Sequence, residues 1–476
     1  MTAQSAPHVR RNVWTLPAGD PTLEEYAQAV AIMKTRPASD PTSWTYQAAM
    51  HGTHATPTRP LWNGCQHGTW FFLCWHRMFV YHFEAIVRAA VVQAGGSTDW
   101  ALPFWDYGAG GRQATIPVAF RSPTVAGAAN PLYVALRAHG INGGLALSPA
   151  VTGAGHALGR PRFTGLAQFG GGMTRVQQFS ADTGQIEQTP HNDVHGAVGG
   201  PGGWMNDPDQ AAADPIFWLH HSNIDRLWDQ WCRPPRHNPT DARWTGQRFA
   251  FFDRNGHRVQ MTAADVHDIA GQLGYTYETT PAHATVPGPG AEEADAAVTP
   301  AEDEEPEPEL VGATEHAVAL TGAPASIALE IDARAASAVL AGTGAAQPGH
   351  VYLSVEDIAG ERNPGTVYGI YLNLPEGATA GVAESHHAGN VSFFGLERAR
   401  NPRGDEPAHD LRVTREITDL VHRLAASGQW DGRTVTVTFR PLSLIPEDQP
   451  ELAHALPAAF TEDPPVTIGR VSILYS

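Results

Sequence analysis

His191 and His195 are four residues apart, so on a helix their imidazoles share one face and can reach one metal ion. His220 and His221 lie in a second helix-like segment, and one helix can aim only one of two adjacent side chains at a given point. A His-x-x-x-His pair joined by a histidine from a facing helix makes a three-imidazole metal site in a bundle core. Nearer the N-terminus His51, His54, His67, His76 and His82 form a second group. His76 stands among Phe71, Phe72, Leu73 and Trp75. An imidazole buried there needs a partner, because an unsatisfied polar group in an apolar setting is costly. Metal ligation supplies one, and His51 and His67 would complete a second three-imidazole site. No His-Glu-x-x-His motif occurs, and no carboxylate sits in the ligand frame. Imidazole-only ligation suits copper and also zinc. A zinc hydrolase would in addition need a carboxylate base beside a bound water, which the all-imidazole pattern does not offer.

The elements that must hold these residues are helical. Asp20-Pro21 followed by residues 23–34 reads as a capped amphipathic helix stopped before Pro37. Residues 44–50 form a short apolar helix ending at His51. Residues 71–94 form a long one, stopped by Gly95-Gly96. Asp214-Pro215 opens a helix over 216–231 that ends before Pro234-Pro235. His82 lies six residues after His76, about 600° around the helix, so it points away from that ligand face and is structural.

Near residue 280 the composition changes. Residues 281–312 hold Pro-Gly repeats and an acidic run, which cannot form a core and read as a solvated linker. Residues 313–476 then turn to β patterns: 351–355, 368–374, 435–439 and 466–475, interrupted by one helix over about 414–426. The expected architecture is a mainly α domain over 1–280 and a C-terminal β-sandwich. His386-His387 in that second part is a loop pair without a third ligand and is expected to face solvent.

The 476 residues carry a net charge of −18, which disfavours nucleic acid and anionic membranes as partners. Nine acids between residues 291 and 310, with no base among them, make half of that charge. No apolar run is long enough to span a membrane. Cys65, Cys74 and Cys232 are too few for a disulfide framework. Residues 1–16 contain no apolar targeting segment, so the expected compartment is the cytoplasm.

Longer motifs carry a resemblance. Tyr46-Gln47-Ala48-Ala49-Met50-His51-Gly52, Cys65-Gln66-His67-Gly68-Thr69 and Trp75-His76-Arg77 resemble the first copper-binding region of the tyrosinase and polyphenol oxidase family. His191-Asn192-Asp193-Val194-His195 and the run from Asp214 to Arg226 resemble the second. The match spans about residues 10 to 280 in order and spacing. It implies a four-helix bundle holding two copper ions, one on His51, His67 and His76 and the other on His191, His195 and His221. His51 is preferred to His54 by its His-Gly context, and His221 to His220 as the second of the pair. Tyr275-Thr276-Tyr277 resembles a motif that meets an N-terminal arginine, here Arg10 or Arg11.

The resemblance implies oxidation of o-diphenols to o-quinones with O2, and of monophenols as well. It implies a thioether between Cys65 and His67, as some family members carry. Glu187 and Asn192 occupy positions where the family holds a water that deprotonates the phenol. Gly196 leaves space at the entrance. Asp225 and Arg226 are read as helix-packing residues, Phe217 as a neighbour of the ligands, and Cys74 as a buried thiol. The segments 371–375, 388–394, 417–420 and 466–469 resemble, more weakly, the C-terminal domain of plant-type members, which covers the copper site and keeps the enzyme latent. Phe393 or Phe394 is the expected plug. The alternative reading is a reversible O2 carrier of the haemocyanin kind.

Overall fold

Helix α1 (Thr22–Thr35) packs its Tyr26, Ala29, Val30 and Met33 face inward. Helix α2 (Trp44–His51) starts where the Ser43 hydroxyl accepts the Tyr46 N–H, so the first turn has its cap. Its last residue is His51. Helix α3 (Phe72–Gln93) is buried along most of its length. Gly95, at φ 87°, takes the left-handed conformation that ends it, and Gly96 N–H then returns to the Val91 carbonyl. Helix α4 (Asp193–Gly199) follows a wider turn over Glu187–Asn192. Helix α5 (Ile216–Trp231) begins at Pro215, and the Asp214 carboxylate accepts its first free N–H. These five helices surround one aromatic-rich core.

The computed structural model describes residues 7–279, 308–332, 349–403, 406, 408–442 and 466–476. Strand β1 (His8–Arg10) pairs in parallel with β4 (Tyr275–Tyr277), closing the helical body, while β2 (Arg248–Phe252) and β3 (Arg258–Thr262) form a hairpin. The C-terminal part is two facing sheets. One has the order β11 (Leu411–Glu416), β8 (Val351–Ala359), β13 (Val466–Tyr475), β5 (Glu309–Ala313), with β6 (Val318–Leu320) also on β13. The other has the order β10 (His387–Val391), β9 (Tyr368–Leu372), β12 (Thr434–Pro441), β7 (Ala325–Glu330). Their inward residues make a separate core. The helical-plus-sandwich architecture is therefore the one expected.

Two boundaries differ. Residues 309–312, expected in the linker, are strand β5, because Leu310 and Gly312 pair with Leu474 and Ile473. Most of the linker lies outside the described residues. Residues 414–416, expected to begin a helix, are the end of β11 and pair with β8; the helix spans Thr418–Ala426. Local sequence favoured the helix, but the waiting edge of β8 decides the conformation.

Candidate metal centre

The cage is built from four helices and one loop. His51 ends α2, His76 lies one turn into α3, His195 lies on α4 and His221 on α5, with His191 just ahead of α4. His67 comes from the loop before α3, followed by Gly68 at φ 64°. A Cβ at Gly68 would collide with the Ser180 carbonyl, so only glycine lets that loop pack.

All six rings are buried. His51 Nδ1–H donates to the Pro208 carbonyl at 2.8 Å, His76 Nδ1–H to Phe72 at 2.8 Å, and His195 Nδ1–H to Met205 at 2.6 Å. His191 Nδ1–H donates to Asn192 Oδ1 at 2.8 Å. A carbonyl can only accept, so each proton sits on Nδ1 and each Nε2 presents a lone pair inward. Among the described residues the Nε2 atoms of His51, His76 and His191 have no hydrogen-bond partner, and His67 has none on either nitrogen. His195 Nε2 and His221 Nε2 face each other at 3.4 Å. Burial, with the neighbouring imidazoles adding to it, pushes His67, His76, His191, His195 and His221 far below the ordinary imidazole range, and burial holds His51 down to about 4. The rings are neutral bases whose acceptor nitrogens converge without a hydrogen-bond donor among them. A cluster of orphaned imidazole lone pairs is what a soft-to-borderline divalent or monovalent metal satisfies, and the absence of a carboxylate in the cage suits copper.

Ligand atoms of His191, His195, His220 and His221 lie within 4.8 Å of one another, as do those of His51, His76 and His221, and those of His51, Cys65 and His67. The two histidine groups thus form one continuous cage, joined at His221. His220, set aside at the sequence level, also turns into it. Its Nδ1 meets the Tyr107 hydroxyl at 3.1 Å while Nε2 stays unpartnered. His54 does not enter the cage; it is exposed and pairs with Asp207 at 2.8 Å and Asp209 at 3.3 Å. His82 rests on Phe251 and Met261, away from the cage. Phe217 packs 4.1 Å from the His221 ring.

Glu187 is buried beside the cage. Its Oε1 accepts the Gly68 N–H at 2.8 Å, while Oε2 has no partner. Burial pushes its carboxyl well above the usual range. Glu187, Asn192, His67, Ser392 and Phe394 line a small cleft between the two bodies. Phe179 stacks on His67 at 4.6 Å and 13°. It sits in a Gly- and Gln-rich loop without periodicity, and no sequence signal singled it out.

Of the two expected plugs only Phe394 enters. Its ring lies 4.2 Å from His195 at 26°, and 5.6 Å and 5.7 Å from His67 and His191. Phe393 points the other way, into the sandwich core against Tyr368. The chain turns here, with the Leu396 N–H donating to the Phe393 carbonyl at 3.0 Å, so one phenylalanine serves each core. Gly196 has no open space beside it; a Cβ there would meet Val367 of the sandwich at 3.1 Å. His386 and His387 are not solvent-facing: His386 is buried and bonded to the Leu372 carbonyl, and His387 meets Asn390.

Asp225 anchors the far side of α5. It accepts from Arg77, from Arg10 Nη1 at 3.1 Å, from the Tyr275 hydroxyl at 2.6 Å and from the Tyr277 hydroxyl at 2.5 Å. The arginine of the tyrosine motif is therefore Arg10, while Arg11 pairs with Asp20. Arg226 reaches Asp106. Cys74 is buried, and its thiol faces the Phe71 carbonyl.

Residues 41–136 and 159–234 match the family described as the common central domain of tyrosinase, and 238–285 match the polyphenol oxidase middle domain. Residues 307–476 match a domain of unknown function. Tyrosinase HcTyr1 of Hahella sp. strain CCB-MM4 is 32% identical over 98% of both chains. Polyphenol oxidase A1 of Vicia faba is 30% identical over 54% of this chain and 46% of its own. Among solved structures, latent apple tyrosinase superposes with a TM-score of 0.65 at 22% identity, covering 100% of this chain and 98% of that one. That likeness establishes the two-body fold.

Proposed function

The chain belongs to the tyrosinase and polyphenol oxidase family, dinuclear copper oxidoreductases, and from that premise we propose that it oxidises o-diphenols to o-quinones with O2, hydroxylates monophenols, and stays latent while the sandwich covers the cage. The observation that carries this reading is the cage of buried imidazoles with inward, unpartnered nitrogens and the Phe394 ring laid across it.

One copper ion would be held by His51, His67 and His76 and the other by His191, His195 and His221. Bound there, the pair would relay electrons from diphenol to O2, two diphenols each giving two electrons and two protons as one O2 becomes two waters. The protein's own part is positioning and proton handling. The carbonyls of Pro208, Phe72 and Met205 and the amide oxygen of Asn192 fix ring orientation through Nδ1. With its oxygen committed to His191, the Asn192 amide keeps its N–H donors for a water. The free Glu187 Oε2 can accept from that same water. Burial raises the Glu187 carboxyl in a dry site; cations in the cage and water entry after the sandwich moves favour its carboxylate, which then takes the phenol proton. The flat Phe394 ring on His195 occupies the place of an aromatic substrate.

Cys65 Sγ lies within 4.8 Å of ring nitrogens of both His51 and His67, which supports a Cys65–His67 thioether. Such a bond would replace one S–H and one ring C–H, the two electrons and two protons going to O2 as hydrogen peroxide.

The test is the copper-loaded full chain against its Phe394→Gly variant, with catechol and tyramine. The variant is expected to oxidise both at least tenfold faster than the parent. Reversible O2 uptake with no catechol turnover in the variant would make the protein a carrier instead.

A further inference from the structure

The sandwich meets the helical body through a one-sided arrangement of charge. Arg398 and Arg403 both reach Asp209, and Arg403 also donates to the Thr53 carbonyl. Arg412 pairs with Asp182 at 2.6 Å. Arg415 donates to Gln185 at 3.2 Å, to Thr189 at 2.9 Å and to the Asn390 carbonyl at 2.9 Å, while Asn390 Nδ2 donates to Asp193 at 2.8 Å. So four sandwich arginines face Asp182, Asp193 and Asp209 around the cage. The sandwich acids facing the helical body are Glu416, paired with Arg160 at 2.5 Å, and Glu406, which accepts the Gln178 N–H at 2.9 Å. His54 and Asp207 flank Asp209 from the helical side.

This contact is only partly satisfied. Arg398 Nε, Arg403 Nη1, Arg415 Nε, Asp193 Oδ1 and Asp209 Oδ1 are buried with no partner among the described residues. The Arg412 and Asp182 side chains are 42% and 37% exposed, while Arg403 and Arg398 are 27% and 15% exposed on an Asp209 that is 1% exposed. Partly exposed ion pairs weaken with salt, whereas apolar contacts such as that of Phe394 do not. The geometry points to an electrostatic latch: Arg412 on Asp182 and Arg398 and Arg403 on Asp209 add to the apolar hold of Phe394, and without these pairs the sandwich lifts. The intact chain therefore opens reversibly as ionic strength rises, with no cut in the chain. This inference rests on the latent-oxidase reading, and it concerns what keeps the site shut.

The test uses the copper-loaded full chain. Raising sodium chloride from about 20 mM to about 500 mM shortens the screening length to a few ångströms and is expected to raise kcat/KM for catechol about tenfold. Hydrogen exchange in α4 is expected to quicken in parallel. Arg398→Ala with Arg403→Ala should be open at low salt and gain little more from salt. Arg398→Lys with Arg403→Lys, which keeps the charges, should remain latent and salt-responsive. The latch is overturned if salt leaves α4 exchange and catechol turnover unchanged or slower, or if the double alanine variant is as latent as the parent while Phe394→Gly is active. If no variant or condition oxidises catechol yet salt still quickens α4 exchange, the oxidase reading fails and the latch stands.

Discussion

Glu187 and Cys65 are the residues where chemistry can be separated from scaffolding. Glu187 spends one oxygen on the Gly68 N–H and keeps the other free. Glu187→Gln preserves that first bond through its amide oxygen but removes the base. In the Phe394→Gly background it should lower tyramine hydroxylation by roughly 100-fold, the usual range for a lost general base, and leave catechol oxidation within about threefold. Equal loss on both substrates would assign Glu187 to architecture alone. For Cys65, intact mass after copper loading in air should be lower by two hydrogens, and Cys65→Ser should abolish that difference. A parent mass equal to the sequence mass removes the thioether. At this scale the sequence was highly legible for the histidines that meet in the cage, since each carries its own local motif. It was poorly legible for Phe179 and His220, whose roles come from rings that meet only in three dimensions.

Among the elements, α5 reads directly from sequence: Asp214-Pro215 before it and prolines beyond it fix its 16 residues. The helix expected from residue 414 fails because β11 finds β8 across 60 residues of chain, a partner invisible to local pattern. The same holds for residues 309–312, whose partner is at the far end of the sandwich. The element pair β1 and β4 shows how distant segments fasten α5. Arg10 and Tyr277 reach Asp225 there, beside Arg77 from α3. Removing one member of a buried charge cluster leaves the others uncompensated. Arg10→Ala should therefore cost about 3–5 kcal/mol in denaturant unfolding. Tyr277→Phe, which deletes one hydroxyl, should cost about 1–2 kcal/mol. Near-neutral results for both would show that Arg77 and Tyr275 suffice to secure Asp225.

At the scale of the whole molecule, the sandwich lies directly over the cage that a metal would fill. Without copper the cage holds inward-facing nitrogens with nothing to bind, so stripping the metal with a chelator should lower thermal stability. The loss should be about 4 kcal/mol where free copper stood roughly 1,000-fold above its dissociation constant. Differential scanning calorimetry of the two forms checks this; equal midpoints would mean the cage is closed by the fold alone. Such a shift would also separate a metal-supported core from one that merely tolerates the ion.

Strand β13 is the middle of its sheet, pairing on one side with β8 and on the other with β5 and β6, yet it is made of residues 466–475. During synthesis every cage histidine has emerged by residue 221, and Phe394 long before β13. The sheet cannot close until that strand arrives. The order of translation thus leaves an interval in which the nascent helical part is complete while its cover is still unassembled, and in that interval a metal ion has an unobstructed path to the cage.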